Sequence, residues 1–385
     1  MTAKALLAAV EPSGDALGAA LLSALQREEP GIQVFGCGGA AMADAGFHTD
    51  FSTEPFAVMG FTDVARALPL GLRRARELAE KAARERADFA VLIDGWAFSR
   101  ILAKRLRRYA PDTKIYKYVA PQIWASRPQR IDFVRTHFDG VLTVLPFEPP
   151  FFEAGGVAAA FVGNPTFQAA YQRRGDGAAF RARHGLQNEK LLAVLPGSRR
   201  SELTHLAPVF ERAVTLLHAK TPDLRVVAPL APQTPSEFKT AIAAWDAPPL
   251  IVDPGEKYDA FAAADAAIAA SGTVTTELAI HETPTVIAYK ADPLTAFWAR
   301  RVVTTDYASI LNFQADAMVM PEFIQEDCRE DLIAEAALKL LNDERARREQ
   351  LDRLAPLVAA LDLDGAPAAD RAARRILDWA SGDAP

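Results

Sequence analysis

Short apolar runs alternate with longer amphipathic segments along most of this chain. The runs predict strands at Leu6–Val10, Gln33–Cys37, Phe89–Asp94, Lys114–Val119, Gly140–Leu145 and Ala159–Val162, then at Leu191–Leu195, Leu224–Pro229, Leu250–Val252, Ala266–Ala269 and Thr285–Tyr289. Helices are predicted over Gly14–Arg27, Leu68–Arg86, Arg100–Tyr109 and Pro128–Phe138. This alternation predicts an α/β fold with parallel sheets. The halves divide at Gly163-Asn164-Pro165, after a proline-rich turn at Pro146 to Pro150, and the chain from Arg329 onward reads as helix rich in Ala, Arg and Glu. The expected domains are therefore 1–163, 164–328 and a helical tail, 329–385, packing back on the first domain or on a dimer partner. Two doubly wound, Rossmann-like domains would turn their strand carboxyl ends toward a shared cleft, one holding a nucleotide and the other an acceptor.

Composition narrows the class. At 385 residues the chain exceeds one ordinary core. A net charge of −6 argues against a nucleic-acid binder. Cys37 and Cys328 match no metal spacing and fit a reducing cytosol. The apolar run after Lys4 stops at Glu11, so it reads as a first buried strand and not as a secretion signal. No apolar stretch reaches the ~18 residues of a membrane span.

The densest chemical signal is Ala270-Ser271-Gly272-Thr273-Val274-Thr275-Thr276-Glu277, where a strand gives way to a helix. Small residues there admit a phosphate to the backbone, and the helix N-terminus attracts its charge. Glu277, within the first turns, is placed to accept bonds from a ribose; the same run also serves simply to start a helix. Leu195-Pro196-Gly197-Ser198-Arg199-Arg200-Ser201-Glu202 is its counterpart after the first strand of the second half. Gly197 and Ser198 allow close approach, and the planar fork of Arg199 suits a diphosphate. Asn312 is a further polar candidate.

In the first half, Glu11-Pro12-Ser13-Gly14-Asp15 follows the first strand. Gly14 permits a tight turn, Ser13 and Asp15 read as caps of the next helix, and Glu11 projects from the strand end. Gly38 and Gly39 form a small loop after the second strand. Asp94 ends an apolar strand, where a carboxylate serves either as a general base or as a helix cap. Gln122 and Trp124 follow another strand, and Trp124 serves either sugar recognition or interdomain packing. Six scattered histidines offer no ligand pair, and Asp362-Leu363-Asp364 reads as a helix end, so no metal is expected. Val58, Met59, Phe61, Val64 and Leu68, with Arg73 and Arg74 alongside, read as an interfacial helix on an anionic leaflet or as an amphipathic core helix; basic stretches at Lys81–Arg86 and Lys104–Arg108 favour peripheral membrane contact through this domain.

Taken in order, these motifs resemble the lipid-A-disaccharide synthase family of inverting GT-B glycosyltransferases, over nearly the whole chain. Glu11 to Asp15 resembles the family's Gly-Glu-Ala-Ser-Gly-Asp opening. Gly36 to Gly39, Val58-Met59-Gly60, Ile93-Asp94, Pro121 to Trp124, Leu145 to Pro149, Leu195 to Arg199, Ala270 to Thr273 with Glu277, and Pro321-Glu322 follow. The resemblance implies transfer from a UDP-linked diacylglucosamine to diacylglucosamine 1-phosphate at the cytoplasmic face of the inner membrane, with no cofactor or metal. It implies Asp94, Arg199 and Glu11 as essential groups, UDP contacts from Ser271, Thr273, Glu277 and Asn312, and a homodimer exchanging its C-terminal helices. Departures cluster in the first half: Ile93-Asp94-Gly95-Trp96-Ala97-Phe98 lacks the family's second acid, Ser126 replaces a tryptophan, Asn164 a histidine and Ala41 an arginine. They point to a related glycolipid transferase with another acceptor as the alternative. A UDP-sugar 2-epimerase and a non-catalytic sugar-nucleotide or lipid-binding protein stand behind it.

Overall fold

The computed structural model describes residues 3–56, 61–231 and 233–382, without the side chains of 61–67, 294, 299 and 300. The chain divides into two units, Met1–Pro165 with Gly365–Pro385, and Thr166–Asp364.

The first unit runs β1 (Lys4–Ala9), α1 (Pro12–Glu28), β2 (Gln33–Cys37), α2 (Ala40–Asp44), α3 (Phe61–Glu85), β3 (Phe89–Ile93), α4 (Trp96–Tyr109), β4 (Lys114–Tyr118), α5 (Arg130–His137), β5 (Gly140–Thr143), α6 (Pro149–Glu153) and β6 (Ala159–Phe161). Its strands form one parallel sheet in the order β2-β1-β3-β4-β5-β6. Successive side chains leave a strand on opposite faces. Ala5, Leu7, Val91 and Tyr116 accordingly meet Leu21 and Leu25 of α1 on one face. Leu6, Ala8, Leu92 and Ile115 meet Leu78 of α3 and Leu102 of α4 on the other. Burial on both faces explains why these strands read as continuous apolar runs and not as alternating ones.

The second unit runs α7 (Pro165–Gln172), α8 (Gly177–His184), β7 (Lys190–Leu195), α9 (Arg200–Lys220), β8 (Leu224–Pro229), α10 (Pro235–Ala243), β9 (Leu250–Val252), α11 (Lys257–Ala263), β10 (Ala266–Ala270), α12 (Thr273–Ile280), β11 (Thr285–Tyr289), α13 (Pro293–Val302), α14 (Ile310–Ala315), β12 (Glu322–Ile324), α15 (Glu330–Asn342) and α16 (Glu344–Ala359). Its parallel sheet has the order β12-β11-β10-β7-β8-β9. Numbered from β7 and read from the other edge, this is 3-2-1-4-5-6, the order of dinucleotide-binding sheets. The strand β12 pairs with β11 from Ile287↔Glu322 to Tyr289↔Ile324; three residues are too few to carry a pattern, so the sequence did not predict it. The α/β class and the doubly wound parallel sheets agree with the sequence pattern.

The C-terminal helices divide between the units. Ile333, Ala337 and Leu340 of α15 join the core of the second sheet, and Gln350 of α16 pairs with both backbone groups of Thr285. The last helix, α17 (Ala368–Ser381), packs on the first unit, with Trp379 5.5 Å from Tyr116 between ring centroids and Arg374 bonded to Glu28 at 2.8 Å.

Candidate active site

Strand order in the first unit reverses between β1 and β3, so the segments leaving their carboxyl ends diverge there and open a crevice. Glu11 follows β1 and Asp94 follows β3. Asp94 and Gly95 are both left-handed, with φ 50° and 43°, which turns the chain sharply into α4. The Asp94 amide donates to Tyr118 O at 2.9 Å. The Ser13 hydroxyl donates to Asp94 Oδ2 at 2.6 Å. Desolvation first, then the negative charge of Asp94, raises the Glu11 carboxyl above its ordinary range, with Lys117 opposing. Lys117, 1% exposed, directs its ammonium group to three backbone carbonyls: Asp94 at 2.6 Å, Tyr118 at 2.9 Å and Leu92 at 3.1 Å. Burial pulls it down to about 7, with Asp94 and Glu11 acting in the other direction. In the sequence its one signal is a lysine set between Tyr116 and Tyr118 near the end of a buried strand.

Neither Ser13 nor Asp15 caps α1 as expected, since the cap residue is Glu11 and it makes no side-chain cap bond. Ser13 turns to Asp94 instead. Asp15 is buried and reaches across to the start of α2, accepting from the amides of Gly39 (2.7 Å), Ala41 (2.8 Å) and Met42 (3.1 Å). A Cβ on Gly39 would lie 2.7 Å from Asp15 Oδ2, and one on Gly38 2.4 Å from Met42 Sδ. These glycines thus allow close packing, and the amide of Gly39 is already engaged by Asp15 and that of Gly38 by Thr49 Oγ1 at 3.2 Å. Gly14 approaches Asp94 for the same steric reason.

Trp124 donates its indole N–H to Glu148 Oε1 at 3.0 Å and meets Phe147 edge-on at 5.0 Å. Glu148 is 1% exposed, accepts from the amides of Val144 and Leu145, and is pushed up to about 7 by desolvation, against those bonds. In the sequence its one signal is an acidic residue inside the proline-rich turn. Gln122 is exposed. Trp96, one of the departures, stacks at 6.4 Å on Phe138 and carries Arg130 over its ring, so that substitution serves local packing.

In the second unit the order reverses between β7 and β10, and these neighbours carry the two glycine turns picked out in the sequence. Gly197, at φ 111°, leaves room for Glu202: a Cβ there would lie 2.6 Å from Glu202 Oε2. The buried Glu202 carboxylate accepts from the amides of Ser198 (2.8 Å) and Arg199 (3.2 Å) and from the Arg199 guanidinium (2.8 Å). The backbone donors expected to meet a phosphate therefore already hold a carboxylate, while the Arg199 side chain stays 71% exposed. Gly272 and Thr273 are exposed at the N-terminus of α12. Ser271 donates its hydroxyl to Ala308 O at 2.7 Å. Glu277 is buried and forms an ion pair with Lys257, beside the Tyr258 hydroxyl.

Asn312 uses its side-chain amide within the second unit. It is fully buried, donates to Met320 O (2.7 Å) and Glu322 Oε1 (2.8 Å), and accepts from the amides of Val319 and Met320. Its side chain ties together the 309–322 segment.

Of the membrane-facing set, Val58 and Met59 lie outside the described residues, as do the side chains of Phe61 and Val64. Leu68 is 46% exposed, while Arg73 and Arg74 both pair with Glu77. Among the described residues no helix is long and apolar enough to cross a membrane, and no group of three His, Cys, Asp or Glu side chains is arranged to hold a metal. Asp362 is left-handed, at φ 51°, in the turn after α16.

A family model described as lipid-A-disaccharide synthetase matches residues 5–373. The lipid-A-disaccharide synthase of Paramagnetospirillum magneticum is 41% identical over 378 residues, covering 97% of this chain and 96% of that protein. Among solved structures, the calicheamicin glycosyltransferase CalG4 matches with a TM-score of 0.60 and 16% identity over the full length of both chains. A Neisseria meningitidis UDP-GlcNAc 2-epimerase bound to UDP-GlcNAc matches with a TM-score of 0.58 and 10% identity, covering 94% of this chain and 98% of that one. At those identities the two structures speak to the fold, which is of GT-B type.

Proposed function

Because the chain belongs to the lipid-A-disaccharide synthase family and forms the lipid A disaccharide by glycosyl transfer, we propose that its donor is UDP-2,3-diacylglucosamine and its acceptor 2,3-diacylglucosamine 1-phosphate. The transfer inverts the anomeric centre and needs no metal ion. The observation that carries this reading is the Glu11, Ser13 and Asp94 group at the reversal point of the first sheet, with Ser13 bonded to the Asp94 carboxylate.

Asp94 takes the proton of the acceptor 6-hydroxyl as its oxygen bonds to the anomeric carbon from the face opposite UDP. The bond from that carbon to the diphosphate oxygen breaks, its electrons leave with UDP, and the proton remains on Asp94. Glu11, with its raised proton affinity, is suited to hydrogen-bond the acceptor. Arg199 and the N-terminus of α12 stabilise charge on the leaving diphosphate, and preorganised donors of this kind contribute about 3–4 kcal/mol each. Trp124, steadied by Glu148, offers an apolar face to a sugar ring. The exposed Leu68 of α3, with Arg73 and Arg74 further along the same helix, supports peripheral attachment to the cytoplasmic leaflet, and exchange of C-terminal helices would give a homodimer.

The test is disaccharide formation in detergent and EDTA, followed by mass spectrometry. Asp94→Asn should lower turnover by roughly 100-fold or more and leave UDP affinity unchanged; near-normal turnover would remove Asp94 from the role. Arg199→Ala should weaken UDP binding as well. Loss of activity in EDTA, restored by Mg²⁺, would refute metal independence, and an α-linked product would refute an inverting transfer from an α-linked donor.

A further inference from the structure

Lys117 is the penultimate residue of β4 and is buried, where a chain needing only to fill space would place Leu or Met. Removing an ammonium ion from water is unfavourable unless its protons find acceptors. All three donors here have one, and the carbonyls they reach belong to the carboxyl ends of β3 and β4. The shortest bond goes to Asp94 itself, whose left-handed backbone persists only where its surroundings over-determine it. Two acidic side chains direct charge at Lys117: Asp94, which follows β3, and Glu11, which follows β1. The other charged groups around β4, Asp139 and Arg371, act on its neighbours Tyr116 and Tyr118, and β5 presents Val141 and Leu142.

We propose that Lys117 is a positioning residue for the transfer reaction: its buried ammonium group clamps the turn that presents the Asp94 carboxylate and supplies positive charge to both Asp94 and Glu11. The proposal rests on Asp94 being the base. It explains why a buried cation is bonded to the carbonyls of the turn that carries Asp94, close enough to act on both acidic side chains.

The experiment compares pH profiles of kcat/KM for the full chain, Lys117→Met and Lys117→Gln, with UDP affinity from calorimetry and folding from circular dichroism. Removing the cation takes away the charge that opposes the raised proton affinity of Glu11, so the acidic limb of Lys117→Met should move up by about one pH unit. Turnover at pH 6, below the value of about 7 at which Lys117 gives up its proton, should fall about tenfold or more, with UDP affinity within about twofold of the parent. Lys117→Gln keeps two N–H donors without the charge, so it should show the same displaced limb with a smaller loss of turnover. Folded variants whose acidic limb does not move would overturn the proposal and leave Lys117 a packing role alone. The reading of Asp94 fails separately, through an active Asp94→Asn.

Discussion

Glu148 offers the sharpest quantitative test of the first unit's interior. Its carboxyl is raised from the ordinary 4.5 to about 7, with desolvation as the largest cause. The folded state therefore holds a proton that the unfolded state releases between those two values. Its contribution to stability is fully present below about pH 4.5 and is lost as the pH rises through about 7. A displacement of about 2.5 units at 1.36 kcal/mol per unit corresponds to about 3 kcal/mol. Glu148→Gln removes the titration while keeping the shape. It also sets an amide N–H against either the Trp124 indole N–H or a backbone N–H, a loss of about 1 kcal/mol that does not vary with pH. Unfolding by denaturant from pH 4.5 to 7.5 should show the parent falling relative to the variant by about 3 kcal/mol. In calorimetry this corresponds to roughly 6–12 °C in Tm for a unit of 150–250 residues. Parallel curves, separated by a constant offset, would refute the burial argument and place water or a cation at Glu148.

Other perturbations follow from the same contacts. Asp15→Ala leaves three amides at the start of α2 without their acceptor and should destabilise the first unit by about 2–4 kcal/mol in denaturant unfolding, against no change if Asp15 serves only the substrate. Asn312→Ala should cost the second unit about 2–4 kcal/mol; undiminished stability with weakened UDP binding would place it in the ligand set. Lys257→Met strands the buried Glu277 charge and should cost roughly 3 kcal/mol, while the double variant Lys257→Met/Glu277→Met should cost less than the sum of the singles; strict additivity would mean the pair is not coupled. Gly39→Ala drives a Cβ to 2.7 Å from Asp15 and should lower stability by about 1–3 kcal/mol, a loss that Asp15→Ala should partly relieve.

The linear pattern of this chain was enough for its layers. Apolar runs such as Phe89 to Ile93 could be recognised because both sheet faces are covered, and their spacing by helical segments implied parallel crossovers. Asp94, Glu11 and Arg199 could be singled out because ligands of doubly wound sheets gather where strands end, and the ordered motifs identified the family. Periodicity does not record which side chain answers which. Asp15 has the position of a cap for the nearest helix, yet Gly38 and Gly39 bring the start of α2 within reach of its carboxylate. Glu202 lay unassigned in a motif that the structure closes around it. Asn312 was polar and near the expected site, and only its enclosure by Met320 and Glu322 shows that its hydrogen-bonding capacity is used internally. Lys117 and Glu148 are the clearest cases. By itself the sequence determined fold class, family and the loops that carry the chemistry, because these depend on local residue order and pattern. Tertiary structure decided burial, the partners of each charge and hence proton affinity, because desolvation and distance arise only when segments remote in sequence are brought together.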